Sequence, residues 1–242
     1  MVFRKTACAL TLMFSAFSIA QPAAATTILI TYTGTVKDGF DAVGLFGDPG
    51  TLTNDSFTSV YTLTYPTPGA AETTSTPGMH EIYGGTGYNQ PLTSPLSGQL
   101  TINGHTVSFD GKISGDHSLF SPAYFTGNYN GNFSEIFDRV YSDSNTYLTN
   151  TVFSASGDNF ISSLNFADTL NHTVTSSDDA YGYFQLPSDG EGFSAYAHFV
   201  NSAVSVQSIS AVPEPATWGM MIFGFGIAGA TLRARRRETA LA

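Results

Sequence analysis

From Ser56 to Tyr65 the chain alternates. Phe57, Tyr61, Leu63 and Tyr65 fall on one face of an extended strand, and Thr58, Val60, Thr62 and Thr64 on the other. A period of two suits a sheet with one buried face and does not suit an amphipathic helix. The pattern recurs along the chain. Thr27 to Val36 is β-branched, with Ile28, Ile30 and Tyr32 in step; Phe193, Ala195, Ala197 and Phe199 alternate, and Val204, Val206 and Ser208 continue. Between Thr26 and Ala211 no long segment carries an apolar period of 3.6.

The clearest local element is GQLTINGHTVSFDG, Gly98 to Gly111. Asn and Gly both tolerate positive φ, so Asn103-Gly104 predicts a type I′ hairpin turn. A two-residue loop pairs Ile102 with His105 and Leu100 with Val107, and puts all four on one face with Phe109. Gly- and Pro-rich turn clusters recur elsewhere, as in FGDPG, YPTPGA and LPSDGEG. Short strands at this spacing predict an all-β fold, a single β-sandwich or jelly-roll-like ectodomain. Ser134 to Tyr141, SEIFDRVY, reads as one short helix with Ser134 as its N-cap. Pro66 to Pro95 reads as a long loop or irregular excursion.

The middle of the chain, residues 26–211, holds 17 of the 19 acidic residues and only three basic ones, Lys37, Lys112 and Arg139. That balance excludes nucleic acid as a partner, because phosphate neutralisation needs clustered Lys and Arg. The same region has 26 aromatic residues, too many for a disordered chain. The lone cysteine, Cys8, lies near the N-terminus, so no disulfide can staple the body.

No catalytic constellation is legible. His80-Glu81 and Asp116-His117 are adjacent pairs, which in a strand point to opposite faces. His105 flanks a turn, and His172 and His198 lack metal-ligand spacing. Oxygen-rich turns at Asp143-Ser144-Asn145, Asp158-Asn159, Asp178-Asp179 and Asp189-Gly190-Glu191 offer calcium-type ligands but match no calcium motif. TGNYNGNF, around Tyr129, could stack and hydrogen-bond a sugar. No metal, cofactor or catalytic residue is expected.

The two ends are different in kind. Arg4 and Lys5 precede an apolar stretch from Ala7 to Ala20, and small residues at −3 and −1 place signal-peptide cleavage after Ala20 or Ala25. At the other end, Pro213-Glu214-Pro215 fixes an extended backbone that lacks two donors. Trp218 suits a membrane interface. Ala216 to Leu232 has 17 residues without a charge, and Arg233, Arg235, Arg236 and Arg237 follow. As a helix that run is about 25 Å long against about 30 Å of hydrocarbon, a marginal stop-transfer anchor with its arginines held on the cytoplasmic side.

This ordered set resembles the PEP-CTERM protein-sorting signal, in the subtype where tryptophan follows Pro-Glu-Pro after two residues. The resemblance spans about residues 212–237, and Gly219 departs from the alanine usual after the tryptophan. It implies a Gram-negative exported protein, a membrane-anchored precursor held transiently in the inner membrane, and an exosortase as processing partner. It also implies delivery to the cell surface or an exopolysaccharide-rich biofilm matrix. The expected organisation is a signal peptide over 1–25, an all-β exported domain over 26–211 and a sorting signal over 212–242. The expected function is a non-catalytic surface or matrix protein. The alternative is a secreted polysaccharide-binding module, with calcium as a possible aid; a secreted glycoside hydrolase ranks last.

Overall fold

The computed structural model describes residues 25–74, 78–87, 93–110, 112–121, 134–142, 146–154, 159–188 and 192–209, and near the C-terminus 221, 222, 224–227, 229 and 233. Residues 25–211 form one compact unit. Its described residues make thirteen strands: β1 Thr26–Asp41, β2 Gly50–Thr51, β3 Ser56–Tyr65, β4 Ala71–Thr73, β5 Met79–Gly85, β6 Leu96–Ile102, β7 His105–Phe109, β8 Ile113–Phe120, β9 Ser134–Ser142, β10 Tyr147–Ser154, β11 Leu170–Thr173, β12 Asp178–Pro187 and β13 Phe193–Ile209.

All thirteen belong to one antiparallel sheet, ordered β4-β5-β8-β9-β10-β12-β13-β1-β3-β6-β7, with β11 on β13 and β2 on β1. The strands are linked through one hydrogen-bonded ladder path, and the sheet curls so that its two wings meet face to face. Tyr32 of β1 reaches Asp138 of β9, and Asn150 of β10 reaches Tyr61 of β3. The apolar side chains between the wings form one cluster that includes Ile30, Leu63, Leu100, Val140 and Leu148, all fully buried. Burying each contributes about 1.5–3 kcal/mol relative to exposure. A chain without a disulfide in its body draws its stability from this cluster.

The alternation read from the sequence sets which face is inside. In β3 Phe57, Tyr61 and Leu63 are buried, as are Ile28, Ile30 and Tyr32 in β1. The hairpin forms as expected. Asn103 and Gly104 take φ of 53° and 79°, and Ile102 pairs with His105 and Leu100 with Val107. In β13 the inward positions are Ala195, Ala197 and Phe199, then Val204 and Val206. The change from odd to even numbers is absorbed where the β1–β13 register shifts between Thr33 and Gly34. A Cβ on Gly34 would lie 2.0 Å from the Val200 carbonyl oxygen, so that crossing needs glycine.

Two expectations are corrected. Ser134 to Tyr141 is strand β9, not a helix, and alternates strictly, with Ser134, Ile136, Asp138 and Val140 buried. Ile136, Phe137, Val140 and Tyr141 do fall at helical spacing, but pairing with β8 and β10 on both sides selects the extended form. Tertiary pairing overrides a weak local pattern. Ser134 caps no helix; its hydroxyl donates to Asn159 Oδ1 at 2.9 Å. The Pro66–Pro95 stretch is not a plain excursion either, since it contains β4 and β5. Strand β5 is fixed by its ladder with β8, which the local Gly and Thr content does not reveal.

Near the C-terminus, residues 221, 222, 224–227, 229 and 233 are helical. Among the described residues, no helix is long and apolar enough to cross a membrane.

Candidate functional site

Three polar clusters in the β body bring together residues that the sequence leaves far apart. The first is buried. His117 of β8 and Asp138 of β9 are direct ladder partners. Asp138 Oδ1 lies 2.7 Å from His117 Nδ1, and its Oδ2 accepts a 2.7 Å bond from the Tyr32 hydroxyl. All three side chains are buried. A carboxylate is acceptor-only, so Nδ1 carries the proton. Burial, and then the nearby Asp138 charge, push the Tyr32 hydroxyl well above its ordinary pKa, so it stays a donor. Tyr61 packs edge-on against Tyr32 at 5.9 Å and accepts from Asn150 Nδ2 at 3.0 Å.

A histidine oriented by an aspartate is the base half of a nucleophilic triad. His117 also lines a small cavity with Ile161, Ser162, Ser163 and Phe166. Yet neither serine hydroxyl hydrogen-bonds to the ring; Ser163 Oγ instead accepts from the Asn165 amide at 3.1 Å. The space suits one or two waters rather than a substrate. The cluster ties β1, β8 and β9 together across the curled sheet.

The second cluster lies on the outward face of β5, β8 and β9. Asp116 Oδ2 accepts from Arg139 Nη2 at 2.9 Å. The Arg139 guanidinium carbon sits 5.6 Å and 5.4 Å from the ring centroids of Phe137 and Tyr141. Burial raises the Glu81 carboxyl, Asp116 raises it further by charge and hydrogen bond, and Arg139 opposes both. Asp116 is also raised, by burial against the pull of Arg139. Glycoside hydrolysis uses carboxyl groups roughly 5 Å or more apart. Two carboxyls that hydrogen-bond to each other are too close for that geometry.

The third group consists of pairs that hold loops. His80 Nδ1 faces the Leu164 carbonyl at 2.7 Å and its Nε2 faces Glu72 Oε1 at 2.5 Å, while the ring stacks on Phe166 at 3.9 Å. His80 therefore pairs with Glu72, not with its neighbour Glu81. Asp178, one of the oxygen-rich turn residues, accepts from Thr175 N at 2.8 Å and lies 3.0 Å from His172 Nε2. Burial pushes its pKa up, but hydrogen bonds from Thr175 and His172 hold it below the ordinary value. Its Oδ2 serves the turn. Among the described residues no group of three or more His, Cys, Asp or Glu could hold a metal. The turns at 143–145 and 189–191, Asp158 and Tyr129 lie outside the described residues.

Of the sequence-derived processing residues, Ala25 is exposed just before β1 and Arg233 is an exposed helical residue. Ala20, Pro213, Glu214, Pro215, Trp218, Arg235, Arg236 and Arg237 lie outside the described residues. The family model for the PEP-CTERM protein-sorting motif matches residues 211–237. The chain carries a PEP-CTERM sorting signal. A PEP-CTERM motif marks an exported protein whose membrane-anchored precursor is targeted to exosortase. No curated protein and no solved structure matches the chain. The functional information outside the β body thus sits in the PEP-CTERM segment, which the residue pattern reveals without any fold.

Proposed function

We propose that this chain is a cargo protein with two disposable ends. A signal peptide cut after Ala20 or Ala25 starts export. The apolar run from Ala216 to Leu232 halts it in the inner membrane, with Arg233, Arg235, Arg236 and Arg237 on the cytoplasmic side. Exosortase then cuts near Pro213-Glu214-Pro215, in the proline-glutamate-proline and tryptophan subtype. The β body is left at the surface of a Gram-negative cell or in its exopolysaccharide and biofilm matrix, as a non-catalytic component.

The observation that carries this reading is the motif match over residues 211–237. The short anchor supports it. Seventeen uncharged residues with four glycines insert weakly, which suits a tether meant to be released. The non-catalytic reading draws on the saturated polar clusters: Asp138 already accepts from Tyr32 and faces His117, and Asp116 already accepts from Arg139. Substituting Pro213→Ala together with Pro215→Ala tests the cleavage step. In an exosortase-bearing host the variant should stay in the membrane fraction at full tail length while the natural sequence is trimmed. Equal trimming of both would refute the assigned cleavage element.

A further inference from the structure

The outward face of β12, β13 and β1 carries three cross-strand rows that no part of the reading above uses. Phe40, Tyr196 and Gln185 make the first row, Asp38, His198 and Tyr183 the second, and Thr35, Val200 and Tyr181 the third. At about 4.8 Å between strands and about 6.8 Å between alternate residues, the rows cover roughly 10 by 14 Å. Tyr183 and Tyr196 are half-buried, and the rings towards the edges of the face are exposed. Tyr181 is 62% exposed, Phe40 45% and, at the end of β13, Phe193 46%.

The rings lie against one another. Tyr183 stacks on His198 at 4.9 Å and 25°, and Tyr196 lies 5.8 Å from His198 and 6.2 Å from Phe193. Polar groups stand between them. His198 Nδ1 is 3.6 Å from Asp38 Oδ2, and the Tyr183 hydroxyl donates to Gln185 Oε1 at 2.7 Å. No leucine, isoleucine or methionine occurs in the three rows.

We propose that this face binds a neutral polysaccharide. An aromatic ring has an electron-rich face, which attracts the polarised C–H bonds on the flat side of a sugar ring. Hydroxyls at the sugar's rim need hydrogen-bonding groups within reach, and Asp38, His198 and Gln185 supply both donors and acceptors. A surface of this mixed kind discriminates against a purely apolar partner. Charge narrows the class further. The body carries 17 acidic residues against three basic ones, so its field repels a polyuronate. Lys37 borders the face, and Asp38 balances it. The proposal rests on delivery of the body outside the cell, but its test does not depend on delivery.

The test is affinity electrophoresis of the full-length protein in a non-glycosidic detergent, with a soluble neutral β-glucan or with alginate in the gel. Retardation by the glucan and none by alginate is expected. Phe40→Ala with Tyr181→Ala should weaken retardation about tenfold, as for loss of two anchoring rings. Ile209→Ala, an exposed apolar change at the other end of β13, should leave it unchanged. Thermal unfolding of each variant checks that the fold survives, and Tyr181→Trp should retain binding. No retardation by the glucan, stronger retardation by alginate, or equal retardation of the Phe40 and Tyr181 double variant would overturn the proposal. So would a concentration-dependent dimer lost in that double variant, which would assign the face to a second copy.

Discussion

His117 and Asp138, 21 residues apart in sequence, face each other across the β8–β9 ladder with Nδ1 and Oδ1 2.7 Å apart.

Asp138 joins three strands because Tyr32 of β1 donates to its second oxygen. Asp138→Asn keeps the size but turns one acceptor into a donor facing a donor. We expect a loss of about 2–3 kcal/mol, since a buried group left unsatisfied costs the full desolvation penalty. Tyr32→Phe removes one partner only and should cost about 1–2 kcal/mol. Urea unfolding with an unchanged m-value checks both. A midpoint for Asp138→Asn equal to that of the unsubstituted protein would show that the cluster holds nothing together.

Gly34→Ala should be the costlier of two glycine changes. Its Cβ would sit 2.0 Å from the Val200 carbonyl oxygen and 2.9 Å from the Phe57 ring, so backbone must move. Overpacking of this kind costs about 1–3 kcal/mol or more. Gly104→Ala meets nothing within 4 Å but keeps a φ of 79°, so only the left-handed penalty of about 1–2 kcal/mol remains. Thermal unfolding of the two variants side by side should rank them in that order.

The Glu81–Asp116 pair sets a pH dependence. Both carboxyls are raised in the folded protein, chiefly by burial. The folded state therefore holds protons that the unfolded chain releases. The contribution to stability is full below the unfolded values near pH 4 and is lost as pH rises through the folded ones. Glu81→Gln mimics the protonated group, so it should stabilise the protein at pH 7 and make no difference in acid. Asp178 has the opposite sign. Its folded pKa is lowered, so its contribution is present above the unfolded value and is lost as pH falls through the folded one. Unfolding free energies measured across pH 3–7 on Glu81→Gln and Asp178→Asn should diverge in these opposite directions.

Strands with strict alternation and a hairpin with Asn103-Gly104 at its tip were legible because short-range chemistry decides them. Strand β9 was not, because Ile136, Phe137, Val140 and Tyr141 satisfy a helical spacing as well as a strand, and only the ladders to β8 and β10 decide. Asp116 and His117 point to opposite faces, as alternation along a strand requires. What adjacency could not show is that each finds a partner on β9, Arg139 outside and Asp138 inside. Those pairings depend on register, which a single strand does not encode. The sorting segment was legible for the opposite reason: Pro213-Glu214-Pro215, Trp218, the apolar run and the arginines act as a linear address.

The decisive measurement is the intact mass of the exported protein from an exosortase-bearing host. A species lacking residues 1–20 or 1–25 and everything near and beyond Pro215 is the expected result. A mature form that keeps Arg233, Arg235, Arg236 and Arg237 would contradict release by exosortase.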